Sequence, residues 1–264
     1  MVVSTKVIAV IVTTKCTLRC KKCVLGIPYF KEQKHDTLEN IISEIGSIFQ
    51  IYDFVERVDI SGGEALLHPD ITQIIDYTAK FKEQFGSLRI ISNGTILPGA
   101  ELLSLMQRHG EQYGFLLDDY GHLSPKIVRT QELLKECSIP YKVNIYHGEN
   151  QYCDGWIDFG DFKYRGYSDE QISRVFQNCH TSQNPCITLF EGDAYFCVRS
   201  MLGYKFGHYD LSAVERIDLR QNHQLLAINR QKAATFGKYP PVGCKHCNGF
   251  DTQNSARFPA AEQL

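Results

Sequence analysis

The chain has 264 residues, 43% hydrophobic and 22% charged, enough apolar material for one large domain or one domain with a small appendage. A net charge of −2, a pI of about 6.5 and the lack of any basic block argue against a nucleic-acid partner. The longest apolar run, Val7 to Val12, is far short of the roughly 20 residues a bilayer demands. The N-terminus also lacks the basic region and cleavage site of a signal peptide, so no membrane partner and a cytoplasmic location are expected.

Strand and helix signals alternate from the start. Lys6 to Val12 reads as a buried strand, and Asp36 to Phe49 as a helix opened by a capping box of Asp36 and Glu39. Phe54 to Ile60 is the next strand and Ile71 to Phe81 the next helix; Leu88 to Ile91 and Ala100 to His109 repeat the pair. Gly114 to Leu117 is a fourth strand, followed by a helix with Ser124 as N-cap and Pro125 in its first turn. Tyr141 to Ile145 is a fifth strand, and Trp156 to Phe159 is a candidate sixth. Such alternation predicts a parallel α/β sheet, and about six units are too few for a complete eight-fold barrel. A partial barrel or a doubly wound sheet remains.

Beyond a helix capped by Ser168 and Gln171 the pattern changes. "CITLFEGDAYFCV" reads as a β-hairpin turning at Glu191-Gly192-Asp193, and a helix around Leu225 to Ala234 precedes "GCKHCNG". A boundary near Cys179 is expected, dividing the chain into residues 1–178 and 179–264.

Ten cysteines without a secretion signal argue against structural disulfides. Cys16, Cys20 and Cys23 lie together after the first strand; Cys179, Cys186, Cys197, Cys244 and Cys247 lie near the end. Cys137 and Cys153 read as ordinary thiols. Grouped thiolates in a reducing compartment hold metal. For the first group the spacing C-x3-C-x2-C can wrap three corners of a four-iron cluster and leave one iron open, whereas structural zinc wants a fourth ligand close by. Its position helps too, since parallel α/β sheets build sites at the C-terminal strand ends.

Here the chain resembles the radical S-adenosylmethionine (SAM) superfamily over roughly residues 6 to 165. The resemblance implies a partial (β/α)6 TIM-like barrel. It also implies that Cys16, Cys20 and Cys23 hold a [4Fe-4S] cluster whose open iron is chelated by SAM. "DISGGEALLHPD" supplies Gly62, Gly63 and Glu64 where the family binds the SAM amino group through backbone. "ISNGT" supplies Ser92 and Asn93 at the third strand end, and "LLDDYG" offers Asp118 or Asp119 near the SAM ribose, with Leu117 where the family has serine. Lys22 stands where an aromatic residue usually precedes the last cysteine.

The distal group, with Cys179, Cys197, Cys244 and Cys247, resembles the shortened auxiliary-cluster domain called twitch, a truncated SPASM domain. That implies a small C-terminal hairpin-containing domain with a second, auxiliary [4Fe-4S] cluster; zinc is the alternative. Cys186 can replace Cys179 as ligand, be a buried thiol, or act in catalysis as a hydrogen donor. His180 and His246 adjoin ligands and read as supporting residues.

The implied function is an oxidoreductase that cleaves SAM to a 5′-deoxyadenosyl radical and takes a hydrogen atom from a small-molecule, sugar or peptide substrate. Electrons would come from a flavodoxin- or ferredoxin-type reductant. The ending "AAEQL" differs from the Gly-Gly tail of the molybdopterin-pathway cyclase; peptide modifiers often carry an N-terminal leader-binding domain, whereas the first strand here begins by about residue 6, so a small molecule or sugar is the expected substrate. Oxidation is preferred; a radical epimerase, a peptide-modifying maturase and a non-catalytic metal-binding interaction protein are the alternatives.

Overall fold

The computed structural model describes residues 2–152, 156–220, 222–251 and 253–264, so Cys153 lies outside the described residues. The elements in chain order are β1 (Ser4–Thr13), α1 (Leu38–Ile51), β2 (Phe54–Gly62), α2 (Ile71–Thr78), β3 (Phe85–Ser92) and α3 (Ala100–His109). They continue with β4 (Tyr113–Asp119), α4 (Ile127–Glu136), β5 (Tyr141–Ile145), α5 (Asp169–Gln177), the single turn α6 (His180–Gln183) and β6 (Cys186–Phe190). β7 (Asp193–Tyr195), α7 (Val198–Lys205), β8 (Arg216–Asp218) and α8 (Asn222–Ala233) complete the set.

These strands form one eight-stranded, mostly parallel sheet in the order β5-β4-β3-β2-β1-β6-β7-β8. β1 is central, parallel to β2 on one side and to β6 on the other, where Val7 lies opposite Cys186 and Val10 opposite Leu189. β7 and β8 add antiparallel. Strand alternation gives β1 two different faces. Ile8, Val10 and Val12 join the main core with Ile41, Ile45 and Ile48 of α1, while Ile11 packs on the other face with Phe190, Met201 and Leu202.

Three local readings are corrected. The N-cap of α1 is Thr37, whose side chain accepts from Asn40 N; Asp36 instead accepts from Thr37 N and the Asn40 amide. Ser124 does not cap α4, which starts after Lys126, because its hydroxyl is spent on Asn93 O at 2.7 Å and on accepting Tyr120 N. α2 ends at Thr78, and Phe81 has left helical geometry.

Trp156 to Phe159 forms no strand. Its carbonyls are taken by the C-terminal segment, Trp156 O by Phe258 N and Phe159 O by Asn248 N, and Ile157 makes only an isolated bridge with Arg257. The sixth parallel strand is β6, from the hairpin, so the sheet and its core run on without a break past Cys179. The capping box of Ser168 and Gln171 is present as read.

The hairpin turns at Glu191 and Gly192, both at positive φ, the geometry of a tight two-residue connection. Gly192 N donates to Oε1 of Glu44, which α1 buries to 2% exposure, and Oε2 of Glu44 has no partner. Burial pushes the Glu44 carboxyl up to about 8, with Asp36 and Asp193 adding to the effect and the Gly192 N–H opposing it. The folded chain thus holds a proton that the unfolded chain loses near the ordinary value of 4.5, and stability falls as pH rises from there to about 8. Relative to wild type, Glu44→Gln should gain roughly 3 kcal/mol between pH 5 and pH 8 in denaturant unfolding. A difference that does not vary with pH would refute this account.

Candidate functional site

The first cysteine group is built against the end of β2. Gly63 N donates to Thr13 O at 2.8 Å and Glu64 N to Lys15 O at 2.9 Å, so the loop after β1 lies directly on the loop after β2. A Cβ at Gly62, whose φ is +150°, would overlap Thr13 O. One at Gly63 would overlap Lys15 O and stand 2.9 Å from Cys16 Cβ. The paired glycines therefore answer first to the cysteine loop itself.

Glu64 continues the construction. Its Oε1 accepts from Leu66 N at 3.0 Å; its Oε2 accepts from Asn93 N at 2.8 Å and from Ser92 Oγ at 3.2 Å. The side chain, 1% exposed, is pushed up to about 7 by burial against the pull of those donors. It ties β2 to β3, and with its oxygens so engaged the carboxylate is a support of the site. Asn93 returns the link to the cysteines, its Nδ2 reaching Cys16 Sγ at 3.6 Å and Thr17 Oγ1 at 3.2 Å.

At the end of β4, Asp118 accepts from Asn144 Nδ2 of β5 at 3.0 Å and from Tyr120, and burial pushes it up to about 6. Asp119 points elsewhere, to His147 Nε2 and Gly121 N. The C-terminal ends of five consecutive parallel strands thus present the cysteine loop, Gly62–Glu64, Ser92–Asn93, Asp118 and Asn144. Sequence reading missed Asn144, Thr17 and Tyr120, which carry no motif, and Gln263, whose Nε2 reaches Cys20 Sγ at 3.4 Å.

The three thiols lie together, with Cys16 and Cys23 packed around Leu18, Cys20 and Ala261. Burial pushes Cys16 and Cys20 up to about 11 and raises Cys23 too, so without metal the thiols stay protonated. Hydrogen-bond donors nevertheless face all three sulfurs, Leu18 N and Asn93 Nδ2 on Cys16, Gln263 Nε2 on Cys20, and the backbone amides of Leu25, Gly26 and Ile27 on Cys23. A soft three-thiol set with N–H donors fits an iron–sulfur cluster.

The distal cysteines come from separate places. Cys179 precedes α6, Cys197 caps α7, and Cys244 and Cys247 lie in and just after a 3-10 turn, Val242–Lys245. All four line one cavity of about 600 Å³ on the sheet face opposite the main core, which also reaches Val24 and Leu25 beside Cys23. Burial pushes Cys197 up to about 12, with Cys247 and Cys179 as near neighbours, and raises Cys244 and Cys247. Cys186 lines the same cavity, but its charged neighbours are Asp59 and Arg57, and burial pushes it up to about 12. It sits opposite Val7, six residues and about 20 Å back along β1 from Thr13. The structure therefore brings Cys179, Cys197, Cys244 and Cys247 together around one cavity and sets Cys186, which lines it too, apart from the first group.

His246 Nδ1 donates to Phe162 O and the ring stacks on Tyr209, while His180 packs on Phe250. Cys137 is half-buried against the core. Among the described residues no three His, Cys, Asp or Glu side chains converge tightly enough for one metal ion, and no helix is long and apolar enough to cross a membrane.

An α/β sheet with three cysteines after its first strand defines the class, and the family model described as the Radical SAM superfamily matches residues 10–142. This chain belongs to that superfamily. Among curated relatives, GTP 3′,8-cyclase 1 of Mycobacterium tuberculosis (strains CDC 1551 / Oshkosh and ATCC 25618 / H37Rv) is 34% identical over 91 residues, 33% of this chain and 25% of that protein. The chain thus matches only a quarter of the length of those relatives. Among solved structures, BtrN in complex with AdoMet and 2-DOIA aligns over 100% of both chains with a TM-score of 0.62 at 16% identity, a likeness of fold. Native anSMEcpe with bound AdoMet aligns over 52% of this chain and 42% of its own, with a TM-score of 0.43 at 14% identity.

Gly63→Ala should displace Cys16. Iron bound after anaerobic reconstitution should drop by about half, and stability should fall by about 1–3 kcal/mol. Gly99→Ala, at a glycine with nothing within 4 Å of an added Cβ, should leave bound iron unchanged and cost at most the loss of an N-cap glycine on α3. Full iron in Gly63→Ala would show that the close approach does not hold the site.

Proposed function

We propose that the chain is a radical SAM enzyme that oxidises a small-molecule or sugar-like substrate. Cys16, Cys20 and Cys23 would hold a [4Fe-4S] cluster, and Cys179, Cys197, Cys244 and Cys247 an auxiliary one. The sheet would act as a partial barrel, with residues 179–264 as its cluster-bearing appendage. The observation that carries this reading is that cavity of about 600 Å³, which touches the first cysteine loop at one end and is walled by four further thiols. Its size is that of a small-molecule site.

When bound, the first cluster supplies the electron that cleaves SAM reductively to a 5′-deoxyadenosyl radical, the species that takes a hydrogen atom from the substrate. The protein's residues do the rest. The Glu64 carbonyl is taken by Leu67 N, so the Gly63 carbonyl, whose own amide bonds to the cysteine loop, is the one positioned to accept from the SAM amino group. Ser92 and Asn93 hold that loop in register, and Asp118, steadied by Asn144 and Tyr120, offers an acceptor at the next strand end. The apolar lining from Ile11, Leu25, Ile91 and Phe159 keeps water away from a radical. A flavodoxin- or ferredoxin-type protein would serve as reductant.

Oxidation is favoured over inversion because Cys186, the one candidate hydrogen donor outside the two thiol groups that lines the cavity, stands far from the first group. Reconstituted protein should bind about eight irons, from two four-iron clusters. Replacing Cys16, Cys20 and Cys23 by alanine should halve that and abolish 5′-deoxyadenosine formation. Replacing Cys244 and Cys247 should remove the other half and leave SAM cleavage uncoupled from product. Zinc at either site, or 5′-deoxyadenosine from the first triple variant, would overturn the corresponding assignment.

A further inference from the structure

The last residues of the described chain lie on the first cysteine loop. Cys20 and Gln263 form an antiparallel bridge; Lys21 N donates to Glu262 O at 2.8 Å and Leu264 N to Arg19 O at 2.9 Å. Ala261, at φ 52° and 1% exposed, packs with Leu18 and Cys20. The Gln263 side chain is fully engaged. Its Oε1 accepts from Arg19 N at 2.7 Å, and its Nε2 donates to Ala261 O at 2.5 Å and to Cys20 Sγ at 3.4 Å. A docking strand needs only backbone pairing and some apolar contact. An amide aimed at a ligand sulfur, held there by its own second hydrogen bond, does more than dock.

We propose that the C-terminal tail is part of the cluster-binding apparatus and that Gln263 is a positioning residue that tunes the first cluster through Cys20. This rests on the reading that Cys16, Cys20 and Cys23 hold that cluster. An N–H donor on a cluster sulfur stabilises the more negative, reduced state more than the oxidised one, and so raises the reduction potential. The donors on the other two ligand sulfurs are local or from β3's end, Leu18 N and Asn93 Nδ2 on Cys16 and the amides of Leu25, Gly26 and Ile27 on Cys23, so Gln263 is a tuning contact that arrives from the far end of the chain.

The test is a potentiometric titration of reconstituted wild type and Gln263→Leu, read by electron paramagnetic resonance. The signal that changes on adding SAM identifies the first cluster. At the wild-type midpoint the reduced-to-oxidised ratio in Gln263→Leu should fall at least threefold, a shift of about 28 mV at roughly 59 mV per tenfold for one electron, with iron content unchanged. Gln263→Asn keeps an amide but falls one methylene short of the sulfur, and should show the same lowering if the leucine variant assembles poorly. An unchanged midpoint in the iron that remains, in either variant, overturns the proposal and leaves the tail a mere latch. A SAM-responsive signal that survives alanine at Cys16, Cys20 and Cys23 would instead sink the cluster assignment itself.

Discussion

The absence of a side chain at Gly62 and Gly63 is the constraint from which the site follows. It lets the strand ends of β1 and β2 close to backbone contact, at the point where their register shifts between Ile11 and Thr13. Once Glu64 N is spent on Lys15 O, the glutamate side chain is thrown across to β3, where Ser92 and Asn93 hold it. Asn93 then turns back to Cys16 and Thr17. The circuit β1–β2–β3–β1 is closed by hydrogen bonds to a buried carboxylate, worth about 1.5–3 kcal/mol each if ionised. A larger residue at either glycine would open it at its narrowest point.

β1 also carries the other half of the molecule. Its second edge is taken by β6, so Cys179 and Cys197 flank a hairpin whose first strand pairs directly with β1, which ends at Thr13, three residues before Cys16. The two thiol groups are therefore fixed relative to each other by one parallel pairing. Burial raises Cys16, Cys20 and Cys23 in one group and Cys197, Cys244 and Cys247 in the other. Protonated thiols are the cheaper form in that setting, and metal ligation must release those protons as it forms. The donors facing Cys16 and Cys20 compensate the thiolates only once iron is present.

Much of this was legible in the sequence, and the failures have physical causes. The strands from β1 to β5 follow from apolar runs, and the C-x3-C-x2-C spacing with Gly62–Glu64 and Ser92–Asn93 pointed to the right strand ends. Trp156 to Phe159 looks like a strand because its residues suit one, but a strand needs a partner, and the C-terminal segment claimed its carbonyls first. The hairpin was seen, since its turn is local. That its first strand pairs in parallel with β1 was not, because nothing local in "CITLF" reports a partner nearly 180 residues earlier. Ser124 and Asp36 were misread for one reason: each carries a cap-forming side chain, and tertiary partners took Ser124 while the neighbouring Thr37 took the cap. Gln263 is the extreme case, a polar residue in an unpatterned tail that acquires meaning only when folding lays it on Cys20.

The placement of the remaining thiol bears on chemistry more than on architecture. Hydrogen-atom donation needs near contact between sulfur and the carbon radical, at reacting distances of about 3–3.5 Å. Electron transfer to a metal cluster tolerates a gap. A molecule bound near the first cysteine loop would have the four distal thiols along the wall of the same cavity, while Cys186 sits beside Arg57 and Asp59 toward the start of β1. The Arg57 guanidinium grips Asp59 at 2.8 and 3.0 Å, and both line that cavity beside Cys186. On the function proposed above, the roughly 20 Å along β1 between Cys186 and Thr13 is what argues for oxidation over inversion.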